Sequence, residues 1–303
     1  MYKNIKAAVV GSINMDLILT APHIPECGEN VVGTDYGYAN GGKGANQATA
    51  LAKLGANVKM IGKVADDANG KKLIENLEKN GIDASGVAKN GSQTGLAAIL
   101  LDGEGRNRII VYEGANAEII PDEAVAAIDS GIDLLLVQFE TSEEVVTAVV
   151  NSAIQKGITT VIDCGPEKDF ALKKMQGATI LSPNESETKA LTGILPDDEN
   201  TALQASVILK ERSKAKYIVL KLGERGCSLY DGNGIKFFSA FKSEVVDTTA
   251  AGDCFTAALA LEYVKSRNIE AACVAGNKAG SIAVSRLGAE NSMPTVEEIQ
   301  NLN

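Results

Sequence analysis

The chain has 303 residues, 45% of them hydrophobic and 22% charged, which fits a globular protein with material for a substantial core. Its formal net charge of -10 excludes the basic surface that sequence-independent nucleic-acid binding needs, and no apolar run approaches the roughly 18 residues of a membrane span, so neither nucleic acid nor membrane is an expected partner. The five cysteines (Cys27, Cys164, Cys227, Cys254 and Cys273) form no CxxC pair, and the one histidine, His23, is flanked by Pro22 and Pro25. A disulfide framework, a structural zinc site and a His-based triad are therefore not expected. A reducing cytoplasm is the expected compartment, and any acid or base must be a carboxylate or a lysine.

The apolar stretch Ala7–Val10 stops at Gly11, too short for a signal-peptide core, and Ile5–Val10 reads as a first buried strand. Gly11-Ser-Ile-Asn-Met-Asp16 follows without the GxGxxG of a dinucleotide fingerprint. Asn14 and Asp16 alternate onto one face at the strand's end, where groups that donate and accept suit a polyol; an Asx turn is the structural alternative. Leu17–Thr20 and Val31–Tyr38 read as extended strands with no helix between them. Asn40-Gly-Gly-Lys-Gly-Ala-Asn-Gln47 then opens a helical pattern through Ala48, Leu51, Ala52 and Leu54, ended by Gly55. Gly37, Gly42 and Lys43 nearly complete a Walker A pattern. Gly44 removes the Mg²⁺-binding hydroxyl, however, and no hydrophobic strand leads directly into the loop, so a P-loop is rejected. The glycines still allow close backbone approach to a ligand, with Lys43 and Asn46 as donors to hydroxyls; a plain turn before a helix is the alternative.

Val58–Gly62 is the next buried strand. Gly95–Leu101 and Arg106–Tyr112 flank Asp102-Gly-Glu-Gly105, a hairpin signal. With the two earlier extended segments they predict a small antiparallel sheet, a lid inserted at roughly 14–40 and 93–114 of a single α/β domain spanning 1–303. Leu134–Phe139 and Thr159–Asp163 are strands around a helix over Glu143–Lys156, with Ser142 as N-cap and Gly157 at its end. Thr179–Leu181 leads into Ser182-Pro-Asn-Glu-Ser-Glu-Thr188, where Asn184 and Glu187 are helical neighbours. That pair suits water-mediated Mg²⁺ or, equally, a capping motif. Ile218–Leu222 runs into Leu222-Gly-Glu-Arg-Gly226, a turn able to hold a nucleotide. Strands alternating with helices predict an α/β fold with a mostly parallel sheet. The tail from Ile269 to Asn303 is helical in pattern, broken around Gly288 and Pro294.

The run Asp247-Thr-Thr-Ala-Ala-Gly-Asp253 sets two carboxylates around small residues, ahead of Phe255, Ala258, Leu259 and Tyr263 at helical spacing. Unpaired N–H groups and the positive dipole at a helix start favour bound phosphate. Asp253 beside such an anion hole can act as a general base; a first-turn helix acid is the bland alternative. Cys254 reads as a small buried side chain.

Taken together these stretches resemble the ribokinase family of sugar kinases, also called the PfkB family, from Val9 to Pro294. The N-terminal family signature matches Gly41-Gly-Lys-Gly-Ala-Asn-Gln47, and the C-terminal one matches Asp247-Thr-Thr-Ala-Ala-Gly-Asp253. Within the family, Gly11-Ser-Ile-Asn-x-Asp16, Gly114-Ala-Asn116, Pro183-Asn-Glu-x-Glu187 and Arg286-x-Gly-Ala289 fit the ribokinase branch. The resemblance implies a three-layer fold, a mostly parallel central sheet flanked by helices, with a small β-sheet lid that closes over the sugar and builds a homodimer. It implies Asp253 as catalytic base, with the backbone of Ala250, Ala251 and Gly252 as anion hole. Asn14, Asp16, Gly41, Gly42, Lys43, Gly44, Asn46 and Glu140 fall on sugar-binding positions. Asn184, Asn277, Gly252 and the turn of Lys221, Leu222, Gly223, Glu224, Arg225 and Gly226 fall on ATP-contacting ones. Glu187 matches the Mg²⁺ motif, and Asp247, Thr249, Ala283, Arg286, Gly288 and Ser292 match the loop of a K⁺ site built mostly from carbonyls.

Two positions depart from the family pattern. Lys221 stands where a small hydroxyl residue is expected near the nucleotide, so it reaches a phosphate or points to solvent. Thr249 stands where that branch often has isoleucine, which is neutral if its carbonyl is the ligand. The activity implied is ATP-dependent phosphorylation of D-ribose at O5. The nearest alternatives are kinases of deoxyribose, a nucleoside, fructose or a phosphorylated sugar; the acidic pair Asp16 and Glu140 would repel a second phosphate. A non-catalytic sugar or nucleotide sensor on the same fold is the alternative from another class, against which the intact Asp253 and anion hole speak.

Overall fold

The computed structural model describes residues 2–165 and 170–302. The first half of the chain forms β1 (Lys6–Val10), β2 (Asn14–Thr20), β3 (Asp35–Gly41), α1 (Lys43–Lys53), β4 (Asn57–Ala65), α2 (Ala68–Lys79), β5 (Asp83–Gly91), β6 (Gly95–Leu101), β7 (Asn107–Tyr112) and α3 (Pro121–Ala126). The second half forms β8 (Leu134–Gln138), α4 (Glu143–Gln155), β9 (Thr159–Asp163), β10 (Ile180–Ser182), α5 (Glu185–Thr192), α6 (Glu199–Ser213), β11 (Tyr217–Lys221), β12 (Cys227–Tyr230), β13 (Ile235–Phe238), α7 (Ala251–Ser266), α8 (Ile269–Ala283), α9 (Ala289–Ser292) and α10 (Val296–Asn301). Every buried strand read from the apolar runs is present, shifted or extended by a few residues at most. The helix after Ser142 has the expected cap, with Ser142 Oγ accepting from Val145 N. The sequence reading did not single out β5, α2, or the β12–β13 hairpin.

Nine strands make one sheet in the order β13-β12-β11-β10-β9-β8-β1-β4-β5. It is parallel from β11 to β5, and β12 and β13 add an antiparallel edge. Because side chains alternate along a strand, each central strand feeds two cores. Val9, Leu134, Leu136, Val161 and Val219 pack on the face carrying α1, α2, α7 and α8. Ala8, Val10, Leu135, Val137, Ile162 and Ile218 pack on the other, against Val145 and Val149 of α4 and Leu209 of α6. The result is the three-layer α/β arrangement expected of strands buried on both faces.

The smaller sheet has the order β3-β2-β6-β7. Here the expectation of an antiparallel sheet is corrected. The pairs β2–β3 and β6–β7 are antiparallel, but β2 and β6 run parallel, with Asn14 opposite Gly95 and Thr20 opposite Leu101. The reason is where each excursion departs. β2 leaves the end of β1 and β6 the end of β5, and those two strands point the same way in the main sheet. The Asp102–Gly105 turn closes as the sequence suggested, with Gly105 N donating to Asp102 O at 2.9 Å. Among the described residues no helix is long and apolar enough to cross a membrane, and all five cysteines are free, four of them buried.

Candidate active site

From β1 the chain builds outward through β4 and β5, and from β8 it builds the other way. The crevice at the carboxyl ends of β1 and β8 is thus a topological switch point, where open parallel sheets bind ligands. Residues from the ends of β1, β8, β9, β10 and β11 meet there, closed over by the first turns of α1, α5 and α7.

Asp253 lies in the first turn of α7, only 6% exposed. Its Oδ1 accepts from Gln47 Nε2 at 2.9 Å and its Oδ2 from Asn46 Nδ2 at 3.2 Å, so α1 and α7 are joined at the carboxylate. Burial raises its pKa to about 6; the Lys43 ammonium opposes that rise, and the Asp163 carboxylate adds to it. Ala250, the N-cap of α7, is held at φ 59 and has no capping side chain. A non-glycine residue in that region is strained by roughly 1–2 kcal/mol. Ala250, Gly252 and Asp253 line a cleft of 710 Å³ together with Lys43, Asn184, Lys221, Gly223 and Thr248. A helix start presented to a cleft with two lysines is suited to a polyanion.

The side of Asp253 nearer the small sheet is polar and crowded. Asn14 is 4% exposed, and its Oδ1 accepts from Asn116 Nδ2 at 2.7 Å; Asn116 Oδ1 in turn accepts from Ile13 N at 2.9 Å. Asp16 is half-buried on β2, and burial followed by the nearby charge of Glu140 lifts its pKa to about 7. Gly41 ends β3 directly opposite Asn14. Gly42 then turns the chain into α1 at φ 88, a left-handed value that favours glycine. Glu140 accepts from the Ser12 hydroxyl and from Lys43 N at 3.0 Å, so it fixes the start of α1 as well as facing Asp16. The strand leading into the glycine loop is the small-sheet strand β3, polar and glycine-rich, which agrees with rejecting a P-loop.

Lys43 and Lys221 occupy the middle of the site. The Lys43 ammonium is 3.6 Å from Glu187 Oε1 and 3.8 Å from Asp163 Oδ2. Burial alone would lower its pKa, but Asp163, Asp253, Glu187 and Glu140 raise it, so Lys43 stays charged. Lys221 points neither to solvent nor along the turn that follows it: it is 8% exposed, and its Nζ donates to Asp163 Oδ1 at 2.7 Å. Asn184 and Glu187 form the capping box of α5, Asn184 Oδ1 accepting from Glu187 N at 2.8 Å and Glu187 Oε2 from Asn184 N at 2.7 Å. The capping alternative is therefore realised. Yet Glu187 is 3% exposed and leaves Oε1 facing Lys43, so capping does not exhaust it.

Of the expected nucleotide turn, Gly223–Arg225 form a single 3-10 turn after β11, with Leu222 buried. Arg225 reaches back to Glu185 at 2.8 Å and to Asp197 O at 2.7 Å, and Glu224 is exposed. Gly226 N closes the turn on Gly223 O. Asn277 on α8 donates to Phe238 O at 2.8 Å and Ser239 O at 3.1 Å, holding the segment after β13.

Asp247 links two loop segments. Its Oδ1 accepts from Thr249 N at 2.9 Å and Thr249 Oγ at 2.6 Å, and its Oδ2 from Gly288 N at 2.8 Å. Burial works to raise its pKa, and these bonds outweigh burial and hold it below the ordinary value. Arg286 N donates to Ala283 O at 3.1 Å while its guanidinium pairs with Glu298; Ser292 is buried and donates to Ala289 O at 2.7 Å. Hydrogen bonds thus join Asp247, Thr249 and Gly288, and separately Arg286 with Ala283 and Ser292 with Ala289.

Sequence reasoning missed Ser12, Gln47, Gln138, Asp163 and Thr256. Asp163 is the most consequential: fully buried at the end of β9, it accepts from Lys221, from Gln47 Nε2 at 2.7 Å and from Thr256 Oγ at 3.3 Å. A carboxylate ending an apolar strand was its visible signal.

The model of the pfkB family of carbohydrate kinases matches residues 4–296. A ribokinase of Bacillus subtilis (strain 168) is 37% identical over 97% of this chain and 98% of its own length. Among solved structures, Arabidopsis thaliana ribokinase complexed with ribose and ATP is 31% identical with a TM-score of 0.89, covering 98% of this chain and 97% of that one. Thermotoga maritima ribokinase is 34% identical with a TM-score of 0.85 over 98% and 99%. The chain belongs to the pfkB family of carbohydrate kinases.

Proposed function

We propose that the protein is an ATP-dependent ribokinase that transfers the γ-phosphoryl group of ATP to O5 of D-ribose. The observation that carries this reading is Asp253: a buried carboxylate with a pKa raised to about 6, in the first turn of a helix whose start lines a lysine-bearing cleft. Asn46 donates to Asp253, and Asn14 and Asp16 on β2 add groups suited to sugar hydroxyls; Ala250, Gly252, Asn184, Lys221 and Gly223 line the same cleft and suit a triphosphate. Ribose and ATP are the ligands of the Arabidopsis relative.

In this reading Asp253 takes the proton of the O5 hydroxyl as the bond to phosphorus forms. Phosphoryl transfer depends on positioning and charge stabilisation more than on a strong base, so a pKa near 6 suffices at neutral pH. The backbone N–H groups of Ala250 and Gly252, which line the cleft, receive the developing charge on the transferred group, while Ala251 N donates to Thr248 O at 3.2 Å and closes the turn that presents them. Asn14, Asp16, Asn46 and Glu140, with the Gly41–Gly44 loop, orient the sugar, and the small sheet closes over it to exclude water. The chain is then one kinase domain with a lid.

Two ions belong to the same reading. Mg²⁺ would be held chiefly by the phosphates and water, with the Glu187 and Asn184 oxygens at the start of α5 as the chain's contribution. When bound, Mg²⁺ supplies charge neutralisation on the phosphate oxygens. K⁺ would be held by backbone carbonyls among Thr249, Ala283, Arg286, Gly288 and Ser292, with Asp247 clamping Thr249 to Gly288. When bound, K⁺ supplies order to the loop that carries the anion hole. A reducing cytoplasm fits the five free cysteines.

A homodimer through the small sheet completes the proposal. On the face opposite Asp16, Tyr36 is 68% exposed, Tyr38 56% and Ile110 69%, an apolar surface that a second copy would cover. Light scattering at micromolar protein should report twice the chain mass; a monomer would remove the dimer from the reading.

The deciding experiment is a coupled ADP-release assay over D-ribose, deoxyribose, fructose and a nucleoside, in K⁺ and in Na⁺, with the product identified by mass. Ribose 5-phosphate as the preferred product supports the reading, and ligand binding without any phosphorylated product would replace it with a sensor. A second outcome concerns Asp16. As a carboxylate it accepts from sugar hydroxyls through both oxygens with charge assistance, and protonation weakens it as an acceptor; with its pKa raised to about 7, the KM for ribose should climb as pH falls below 7. Asp16→Asn should raise that KM about 10- to 100-fold, the value of a charge-assisted hydrogen bond. A KM flat from pH 6 to 8 in the parent protein would remove Asp16 from sugar recognition.

A further inference from the structure

Beneath the cleft lies a buried polar network that the proposed reaction leaves without a role. Asp163, with no exposed surface, ends β9 and binds three other elements at once: Lys221 on β11, Gln47 on α1 and Thr256 on α7. Gln47 is equally enclosed, and its Oε1 accepts from Gln138 Nε2 at 2.6 Å. The two carboxylates beside it, which accept and do not donate, fix which end of the amide is which. Its NH₂ group must face the two carboxylates, one N–H on Asp163 and the other on Asp253.

Lys221 completes the arrangement. Its Nζ lies 2.7 Å from Asp163 and 4.0 Å from Glu187, and a Cβ placed on Gly252 would come 3.8 Å from it. The ammonium therefore sits beneath the first turn of α7, at the wall of the cleft. A cation beside a helix N-terminus is disfavoured by the dipole unless anions offset it. Here Asp163 and Glu187 do so, and Lys43 shares the same two carboxylates. Two lysines held against a helix start by buried acids are a poor way to pin one strand to its neighbour, since buried ion pairs add little net stability. They are a good way to keep positive charge aimed at a phosphoryl group.

Resting on the kinase reading above, we propose that Asp163 is a positioning residue. Through Gln47 it aims the N–H that orients the base Asp253, and through Lys221 it holds a second ammonium, beside Lys43, at the anion hole. Lys221 is then the group that meets the charge developing on the transferred phosphoryl oxygens.

The test compares Lys221→Met, Lys221→Arg, Asp163→Asn and the double variant Asp163→Asn/Lys221→Met in steady state with ribose and ATP, with melting temperatures for each. Lys221→Met should lower kcat about 100-fold, the typical loss of one donor to a developing anion, with the KM for ribose within about threefold. Lys221→Arg should recover most of that loss. Asp163→Asn should lower kcat by a similar factor, and the double variant should be no worse than about threefold beyond the weaker single, because both changes break one contact. A Lys221→Met protein with kcat within twofold of the parent and only a lowered melting temperature overturns the proposal, as do losses that multiply in the double variant. If Asp163→Asn fails to fold, the two Lys221 variants decide alone. A parent protein that phosphorylates no sugar sinks the kinase reading and this inference together; an active parent with an active Lys221→Met sinks only the inference.

Discussion

Replacing Asp253 with asparagine is expected to lower kcat by about 100- to 10,000-fold, the range for loss of a general base, while leaving ATP binding intact and making the protein more stable at pH 8. The two effects have one cause. Burial raises the folded pKa of Asp253 from 3.8 to about 6, so above pH 6 the site holds a carboxylate it would rather not ionise. Stability associated with the neutral form is complete below pH 4 and lost as pH rises through 6. A shift of that size corresponds to about 3 kcal/mol at pH 8. Asparagine never ionises, so the variant escapes this loss. The gain will fall short of that figure, because Gln47 and Asn46 both donate to the carboxylate and an amide has one oxygen to receive them. Melting curves at pH 8 and pH 4 read the effect directly: the variant should melt higher than the parent at pH 8, and the advantage should vanish at pH 4. Turnover within tenfold of the parent would remove Asp253 as base. Equal stability at pH 8 would show that the carboxylate is not held against its desolvation.

The ends of the candidate site and its two lysines were legible in the sequence; the buried network that holds the lysines was not. Asp253, Asn46, Asn14 and Asn184 each sit where a local pattern changes, at a strand end or a helix start, and sequence spacing marks such places. The small sheet was visible as strands without intervening helices, and Gly95–Leu101 matched to the residue. Its mixed pairing was not, because the direction of β6 against β2 depends on which main-sheet strands precede them, and β5 carries Asp83, Ser85, Lys89 and Asn90 in place of an apolar run. The Asp163–Lys221–Gln47 network escaped for a different reason. Its contacts span 58 and 116 residues, and each member looks ordinary at home: a carboxylate after Val161 and Ile162, a lysine after Val219 and Leu220, a glutamine between Asn46 and Ala48. Lys221 was noticed as out of pattern, but both fates considered for it left out a buried partner.

Gly44→Ala is expected to damage activity nearly as much as loss of the base, without touching any polar group. A Cβ at position 44 would lie 2.7 Å from Gly11 C, Ser12 N and Ser12 O, where ordinary contact begins at 3.4 Å. All three are backbone atoms at the β1–β2 junction, so no side-chain rotation relieves the clash; the start of α1 must move by more than half an ångström. Alanine is the better helix former by about 1 kcal/mol. Overpacking against rigid backbone costs about 1–3 kcal/mol and prevails. The functional loss is larger than the stability loss, because α1 carries Lys43, Asn46 and Gln47, and their hold on Asp163 and Asp253 is set by its first turn. A misplacement approaching an ångström costs roughly 100-fold in catalysis. We expect kcat/KM for ribose to fall by about that factor with a modest drop in melting temperature. The control is Gly234→Ala before β13, where an added Cβ meets nothing within 4 Å and the stability change should stay within about 0.5 kcal/mol. If Gly44→Ala keeps the parent's kcat/KM, the glycine loop is not what seats α1 on the base, and the close packing of Gly44 against Ser12 has only a structural meaning.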